Sequence, residues 1–312
     1  MKLERNFTFM TINQWAEDLA LIVSPDNIKI NESLKKYTMT KLGGNADILV
    51  LPNNEEEAAE VVKYTHTNNI PLLMLGNGSN MVVRDGGVRG VVLTFANLTD
   101  IQVEGDRLYA QSGALIKDVS RTAAANSLTG FEFACGIPGS VGGAMAMNAG
   151  AYGGEIKDII VDCTILTKEG EKITLSKDEL DLSYRKSIIS KEGYYVLSAN
   201  FKLEKGNQQE IDEKIAELTH LRESKQPLEY PSAGSVFKRP PGYFAGKLIQ
   251  DSDLQGKGVG GAEVSTKHAG FIINKGNATA TDYIETIRMV QRVVKEKFDV
   301  ELELEVKIVG ED

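Results

Sequence analysis

The chain has 312 residues, 42% of them apolar and 25% charged, with a net charge of −9. That length accommodates about two domains and a sizeable core. The acidic balance argues against a general nucleic-acid or membrane-surface binder, whose footprint is basic. Cys135 and Cys163 form no CxxC pair and read as reduced, buried thiols. His66, His220 and His268 are scattered, so no metal site is expected. The N-terminal stretch has no export-type apolar run. No segment reaches the ~18 apolar residues of a membrane span. The expected location is the cytoplasm.

Thr11 with Gln14 three residues on forms a capping-box pattern, ahead of a helical face at Trp15, Leu19 and Ile22. Gly43-Gly44 predicts a turn and Ile48–Leu51 a strand. A helix follows, capped near Asn53, with glutamates in its first turn. PLLMLGNGSNMVVRDGGVRGVVLTF predicts a strand, a glycine turn and two short strands. IQVEGDRLYAQSG and VDCTILTKEGEKITL read as hairpins, the second turning at Glu169-Gly170. Residues 115–126 read as a helix and YYVLSANFKL as a strand. A composition shift then marks a boundary before the polar helix GNQQEIDEKIAELTHLRESK. HAGFIIN reads as a strand. Ile284, Ile287, Val290 and Val294 keep helical spacing, and VELELEVKIV alternates as a half-buried strand does. Mixed strands, helices and hairpins favour an α+β fold over a doubly wound sheet.

Two glycine clusters carry the chemistry. In LGNGSNMVV a strand feeds consecutive amides at Gly76, Asn77, Gly78, Ser79 and Asn80. Such a nest can hold a phosphate, but by spacing alone an ordinary hairpin turn is the commoner reading. Met81 stands where a dinucleotide fingerprint needs glycine. GIPGSVGGAMAMNAGAYGG carries Gly136, Gly139, Gly142, Gly143 and Gly150. It reads either as a small-residue helix packed tightly on a sheet or as a second loop clamping a diphosphate ligand. GYFAGKL is one residue short of a P-loop, and Leu248 replaces the magnesium-holding Ser/Thr. Taken alone, Ser235 reads as a turn serine, and Arg185 and Lys225 as surface cations. Glu305 reads as part of a solvated face with Glu301 and Glu303.

In order, TKLGGNAD, LGNGSNMVV, GIPGSVGGAMAMNAGAYGGEIKD, YRKSI, SAGSVFK, AGKLI and LELEVKIVG resemble the UDP-N-acetylenolpyruvoylglucosamine reductase family, from about Leu34 to Gly310. The resemblance implies a VAO/PCMH-type FAD-binding fold in two subdomains, 1–70 and 71–208. It also implies an α+β substrate-binding domain over 209–304 and a terminal strand, 305–312, returning to the active site. It implies non-covalent FAD, NADPH as reductant and a UDP-sugar substrate carrying an enolpyruvyl ether. No nucleic-acid or membrane partner is implied.

The same resemblance assigns roles. The two glycine clusters, with Ile137, Pro138 and Ser140, would line FAD, and Arg222 would sit near its phosphates. Hydride would reach the terminal carbon of the enol ether. Arg185 would then stabilise charge spreading into the substrate carboxylate. Glu305 would be a protonated hydrogen-bond donor beside it, which needs a raised pKa. Ser235 would give the final proton to a very basic carbon. Tyr184, Lys225 and His268 would contact substrate. Arg239 follows SVFK where the longer branch tends to carry asparagine, a departure read here as a diphosphate contact. About fifty residues separate Arg185 from Ser235. This matches the shorter branch of the family, which lacks an inserted tyrosine loop over the substrate. A different flavin oxidoreductase on the same scaffold, or a non-redox nucleotide-sugar binder, are the rival readings.

Overall fold

A computed structural model describes residues 2–312, with side-chain surroundings from Thr11 onward. Contacts divide the chain into two compact units. One comprises residues up to Glu32, Asp47–Asn77 and Gly90–His220. The other comprises Ser33–Ala46, Gly78–Arg89 and Leu221–Asp312. The helix Gln208–Lys225, which the sequence sets at a boundary, runs from the first unit into the second.

The first unit holds a four-stranded sheet ordered Ile28–Ser33, Asn45–Val50, Val88–Leu93, Leu72–Met74, the last two parallel. The helix Glu55–Thr67 connects Asn45–Val50 to Leu72–Met74. Its cap is Asn54, whose side chain accepts from Glu57 N–H at 2.8 Å. Glu55, Glu56 and Glu57 occupy the first turn, where the helix dipole favours acid. Ala58, Val61 and Val62 pack against Ile48, Val50, Val91 and Leu93. A five-stranded antiparallel sheet runs Lys172–Ser176, Ile160–Leu166, Tyr195–Lys202, Arg107–Gln111, Ile101–Glu104. Both expected hairpins lie within it. The helix Ile116–Ala125 buries Ile116, Val119 and Ala123 with Leu108 and Phe201. Cys135 and Cys163 are buried free thiols.

In the second unit, Ser232–Ser235, Phe271–Asn274, Ala262–Val264 and Gly258–Val259 form an antiparallel sheet in that order. The helix Ala280–Phe298 covers it with Tyr283, Ile284, Ile287, Val290 and Val294. Thr279 and Asp282 close its capping box, each side chain taking the other's amide at 3.0 Å. Tyr283 is fully buried, and its hydroxyl donates to Ile272 O at 2.9 Å. Among the described residues no helix is long and apolar enough to cross a membrane.

Two local expectations are corrected. Thr11 does not cap a helix; it lies inside one that runs Lys2–Leu19. No glycine or proline interrupts the upstream residues, so the helix extends through the capping signal. VELELEVKIV is not one strand. Only Lys307–Val309 is regular, parallel to Met81–Val83. The alternation persists in burial, with Leu302 and Val306 inside and Glu301 and Glu303 exposed. The segment changes partners along its length, so no single ladder forms. Lys238 N–H bonds Glu303 O, Glu305 N–H bonds Val236 O, and Lys307 N–H bonds Asn80 O.

Asp85 anchors the start of Ala280–Phe298. Its carboxylate accepts from Ala280 N–H and Thr281 N–H at 2.9 Å each and from Thr281 Oγ1 at 2.8 Å. Burial pushes this carboxyl up, but these bonds and the Lys35 charge pull it below its ordinary range. A depressed folded-state pKa gives stability that is present above the unfolded value and lost as pH falls through the folded one. Asp85→Ala is therefore expected to lower the unfolding free energy by about 1–2 kcal/mol at neutral pH. In urea titrations the gap to wild type should shrink as pH drops below about 4.

Candidate active site

The two glycine clusters meet in the first unit. The Asn77 side chain in the first turn donates to Pro138 O in the second stretch. A Cβ on Gly76 would lie 3.1 Å from Ser140 Oγ. The contact boundary passes through the first turn, so Gly78, Ser79 and Asn80 belong to the second unit. The second stretch is held by the chain around Ser112–Ile116. Ile116 N–H bonds Gly139 O at 3.0 Å, Val141 N–H bonds Ala114 O at 2.9 Å, and Gly142 N–H bonds Ser112 O at 2.9 Å. Ser140 caps the short helix Val141–Ala146, accepting from Gly143 N–H at 3.4 Å. Ile137 N–H bonds Ala134 O at 3.0 Å. A small-residue helix thus packs tightly here, and the loop before it lies against the other glycine turn.

The glycines are not equivalent. A Cβ on Gly142 would fall 2.1 Å from Ser112 Oγ. One on Gly150 would fall 2.7 Å from Glu155 Cγ and from Gly154 O, across a hairpin. Gly78 has φ +58°, and its Cβ would fall 2.1 Å from Tyr37 O. Packing within the protein accounts for these three. A Cβ on Gly143 would meet only Ser140 Oγ, at 3.7 Å, and one on Gly76 only that same atom. The first is an ordinary van der Waals contact, while Gly76, at 3.1 Å, has less room. Gly136, Ile137 and Pro138 are half-buried, and Gly139 and Ser140 are buried.

Arg185 also lies in the first unit. Ser183 and Lys186 exchange main-chain bonds of 3.1 and 3.0 Å, which puts Tyr184 and Arg185 at the centre of a tight turn. Arg185 takes φ +57°, a conformation that costs a non-glycine residue on the order of 1 kcal/mol. Its guanidinium stands 5.2 Å from the centroid of the exposed Tyr184 ring, and Nη2 lies 3.5 Å from Gly150 O. One residue that the sequence reading missed holds this turn. Asn148 is fully buried. Its Nδ2 donates to Glu155 Oε2 at 2.8 Å and to Ser183 O at 3.2 Å, and its Oδ1 accepts from Lys157 N–H at 2.9 Å. The Lys157 ammonium, 2.9 Å away, chiefly holds the Glu155 carboxyl below its usual range. Burial opposes this, while the Asn148 bond and the Arg185 charge assist. A usable signal was present: asparagine tolerates the left-handed backbone that Asn148 adopts at φ +45°.

The second unit gathers Ser235, Glu305 and His268 along one run of hydrogen bonds. Ser235 ends its strand opposite Phe271, exposed, after an irregular register and a Gly234 at φ +73°. Val236, the next residue, donates to Gly270 O at 3.0 Å and accepts from Glu305 N–H at 2.8 Å. Gly270 N–H in turn bonds His268 Nδ1 at 3.1 Å. Burial pushes the half-buried His268 pKa down. The ring is therefore neutral near pH 7, and its accepting Nδ1 assigns the proton to Nε2. Glu305 is half-buried, unlike Glu301 and Glu303 on the same alternation, so a uniformly solvated face does not describe it. Asn80 Nδ2 donates to Glu305 O at 3.1 Å. Lys225 and Arg222 lie in the last turn of Gln208–Lys225, exposed and half-buried respectively. The Arg239 guanidinium sits 3.9 Å from the centroid of the exposed Phe244 ring, and its Nε bonds Tyr243 O at 3.3 Å.

Comparison with known proteins adds identity to this geometry. A family model for an FAD binding domain matches residues 46–176. One for the C-terminal domain of UDP-N-acetylenolpyruvoylglucosamine reductase matches 226–309. The chain is 58% identical over 296 residues to the UDP-N-acetylenolpyruvoylglucosamine reductase of Oceanobacillus iheyensis, covering 95% of this chain and 96% of that one. It is 59% identical over 286 residues to that of Listeria welshimeri, covering 92% and 96%. The crystal structure of the Thermus caldophilus reductase matches with a TM-score of 0.78 and 34% identity, over 91% of this chain and 98% of that one.

Neighbouring glycines should respond differently to one added methyl. Gly142→Ala is expected to lower the unfolding free energy by about 1–3 kcal/mol, through overpacking on Ser112. Gly143→Ala should shift it by less than about 1 kcal/mol, because alanine favours the helix and makes only an ordinary contact with Ser140 Oγ. Urea denaturation of the two variants checks this, and equal losses would refute the distinction.

Proposed function

The chain belongs to the UDP-N-acetylenolpyruvoylglucosamine reductase family, and we propose that it reduces the enolpyruvyl ether of UDP-N-acetylglucosamine to UDP-N-acetylmuramate, a step in peptidoglycan precursor synthesis. FAD is the resident cofactor and NADPH the reductant. Residues 1–208 hold FAD in two subdomains, 209–304 hold the UDP-sugar, and 305–312 return Glu305 to the chemistry. The expected location is the cytoplasm.

The residues present fit FAD. The two glycine loops are tied together by Asn77 and Pro138, and Gly143 has room beside its backbone for a ligand to approach. When bound, FAD supplies the hydride, taken from NADPH, that adds to the enolpyruvyl double bond. The chain's own residues manage the charge and proton that follow. Hydride addition at the terminal carbon leaves negative charge on the adjacent carbon, conjugated with the substrate carboxylate. Arg185 binds that carboxylate and stabilises the growing charge, and its turn is already fixed by Asn148. Ser235 Oγ gives its proton to the charged carbon, a very basic acceptor for which a weak but positioned acid suffices. Glu305, protonated, donates a hydrogen bond to the same carboxylate. The proton on His268 Nε2 makes it a neutral donor to substrate, with Tyr184 and Lys225 as further contacts. Arg239 meets the substrate diphosphate and Arg222 the cofactor phosphates. The observation that supports pairing Ser235 with Glu305 is the 2.8 Å bond from Glu305 N–H to Val236 O, which ties the candidate acid to the residue after Ser235.

Anaerobic visible spectroscopy tests the reading. The purified protein should be yellow, bleach with NADPH and regain colour with the UDP-linked enolpyruvyl sugar. Bleaching without recovery would sink the substrate, and protein that takes up no FAD would sink the cofactor. Ser235→Ala should be reduced by NADPH at close to the wild-type rate and reoxidised by the sugar about 10²- to 10⁴-fold more slowly. Wild-type reoxidation would remove Ser235 as proton donor. Gly143→Ala, although folded, should bind FAD more weakly in a flavin titration.

A further inference from the structure

We propose that Asn80 is a positioning residue for Glu305, its side-chain amide fixing the main chain from which the Glu305 carboxyl projects. The inference rests on the role given to Glu305 above. The strands Met81–Val83 and Lys307–Val309 form a short parallel ladder, extended at its start by Lys307 N–H bonding Asn80 O at 3.1 Å. Glu305 lies two residues before Lys307, outside that ladder. Its N–H has already turned away, to Val236 O at 2.8 Å. Its carbonyl is met by Asn80 Nδ2 at 3.1 Å. The asparagine side chain thus extends the contact between the two segments past the ladder.

Both peptide groups of Glu305 are thereby held by different segments. One is the residue after Ser235, and the other belongs to the first glycine turn. Together they restrict rotation about the Glu305 backbone and so set where its carboxyl emerges. An aspartate at position 80 would have the shape but no donor, and an alanine would have neither. The resemblance places Asn80 among FAD contacts. A side chain engaged with Glu305 O makes a different prediction from one engaged with a cofactor.

The test uses the full chain loaded with FAD and separates the two half-reactions. Asn80→Ala should keep its flavin and be reduced by NADPH within about twofold of wild type. Its reoxidation by the UDP-linked enolpyruvyl sugar should slow about tenfold or more, since small misplacements of a reacting group carry penalties of this size. Adding Asn80→Ala to Glu305→Ala should slow reoxidation no further, because the residue acts through Glu305. If Asn80→Ala does not fold, Asn80→Asp gives the same comparison with the shape kept. Loss of flavin with normal reoxidation of the loaded fraction would make Asn80 a cofactor contact and overturn the proposal. So would slowing that is additive in the double variant, or an equal decline of both half-reactions with a lowered melting temperature. Wild-type reoxidation in Glu305→Ala alone would instead overturn the role of Glu305, and the proposal with it.

Discussion

Bare backbone cannot hold itself in one shape, and everything in the first unit follows from that constraint. A glycine-rich segment has maximal freedom to lose and no side chains to pack. It becomes a rigid surface only where neighbouring chain bonds its amides and carbonyls. Ser112, Ala114 and Ile116 do this for residues 139–142, at 2.9 to 3.0 Å. They can do so because they join the strand Arg107–Gln111 to the helix Ile116–Ala125, both anchored in the core. The rigidity passes onward. Ser187 Oγ donates to Ala146 O at 2.6 Å, and Asn148 donates to Ser183 O at 3.2 Å. These two bonds flank Tyr184 and Arg185. A strained arginine turn is tolerable only when its surroundings determine it this fully.

The second unit solves a related problem with a strand that leaves its ladder. Residues 303–307 bond in turn to the segment beyond Ser235 and to Asn80. A continuous strand would have placed Glu301, Glu303 and Glu305 in equivalent positions on one face. The change of partners breaks that equivalence. Glu303 pairs with Lys238 in the exposed region, while Glu305 is drawn half inside. The irregularity is therefore what separates the half-buried Glu305 from its solvated neighbours.

Elements with local causes were legible in the sequence. The helix Ala280–Phe298 combines a 3.6-residue period with a capping box that its own first turn completes. The hairpins turn at Gly105 and Gly170, both at positive φ. What was not legible has long-range causes. Gly142 and Gly143 are the same letter side by side, yet Ser112, thirty residues upstream, decides that one is tightly packed and the other is not. Glu305 differs from Glu301 through Asn80, which is 225 residues away in sequence. Asn148 looked like one small residue among many until its three hydrogen bonds were seen. Thr11 erred in the opposite direction, a genuine local signal overridden by a helix that continues through it. The family resemblance named Glu305 and Arg185 without the reason that each is held where it is.

Charge placement shows how an acidic chain can host an anionic substrate. A net charge of −9 repels phosphates and carboxylates at long range, but screening limits that repulsion to about 8–10 Å in physiological salt. The local field decides binding. Around Arg185 the nearby acid is Glu155, which would cancel the guanidinium if the two were exclusive partners. They are not. The largest influence on the Glu155 carboxyl is the Lys157 ammonium at 2.9 Å, with Arg185 the weakest of the named contributors. Lys157 takes up most of the Glu155 charge, and Asn148 bonds the same carboxylate. Glu155 can therefore remain ionised and hold its hairpin in place through Lys157 and Asn148. The Glu155 carboxylate is thus held chiefly by its own hairpin rather than by the Arg185 turn.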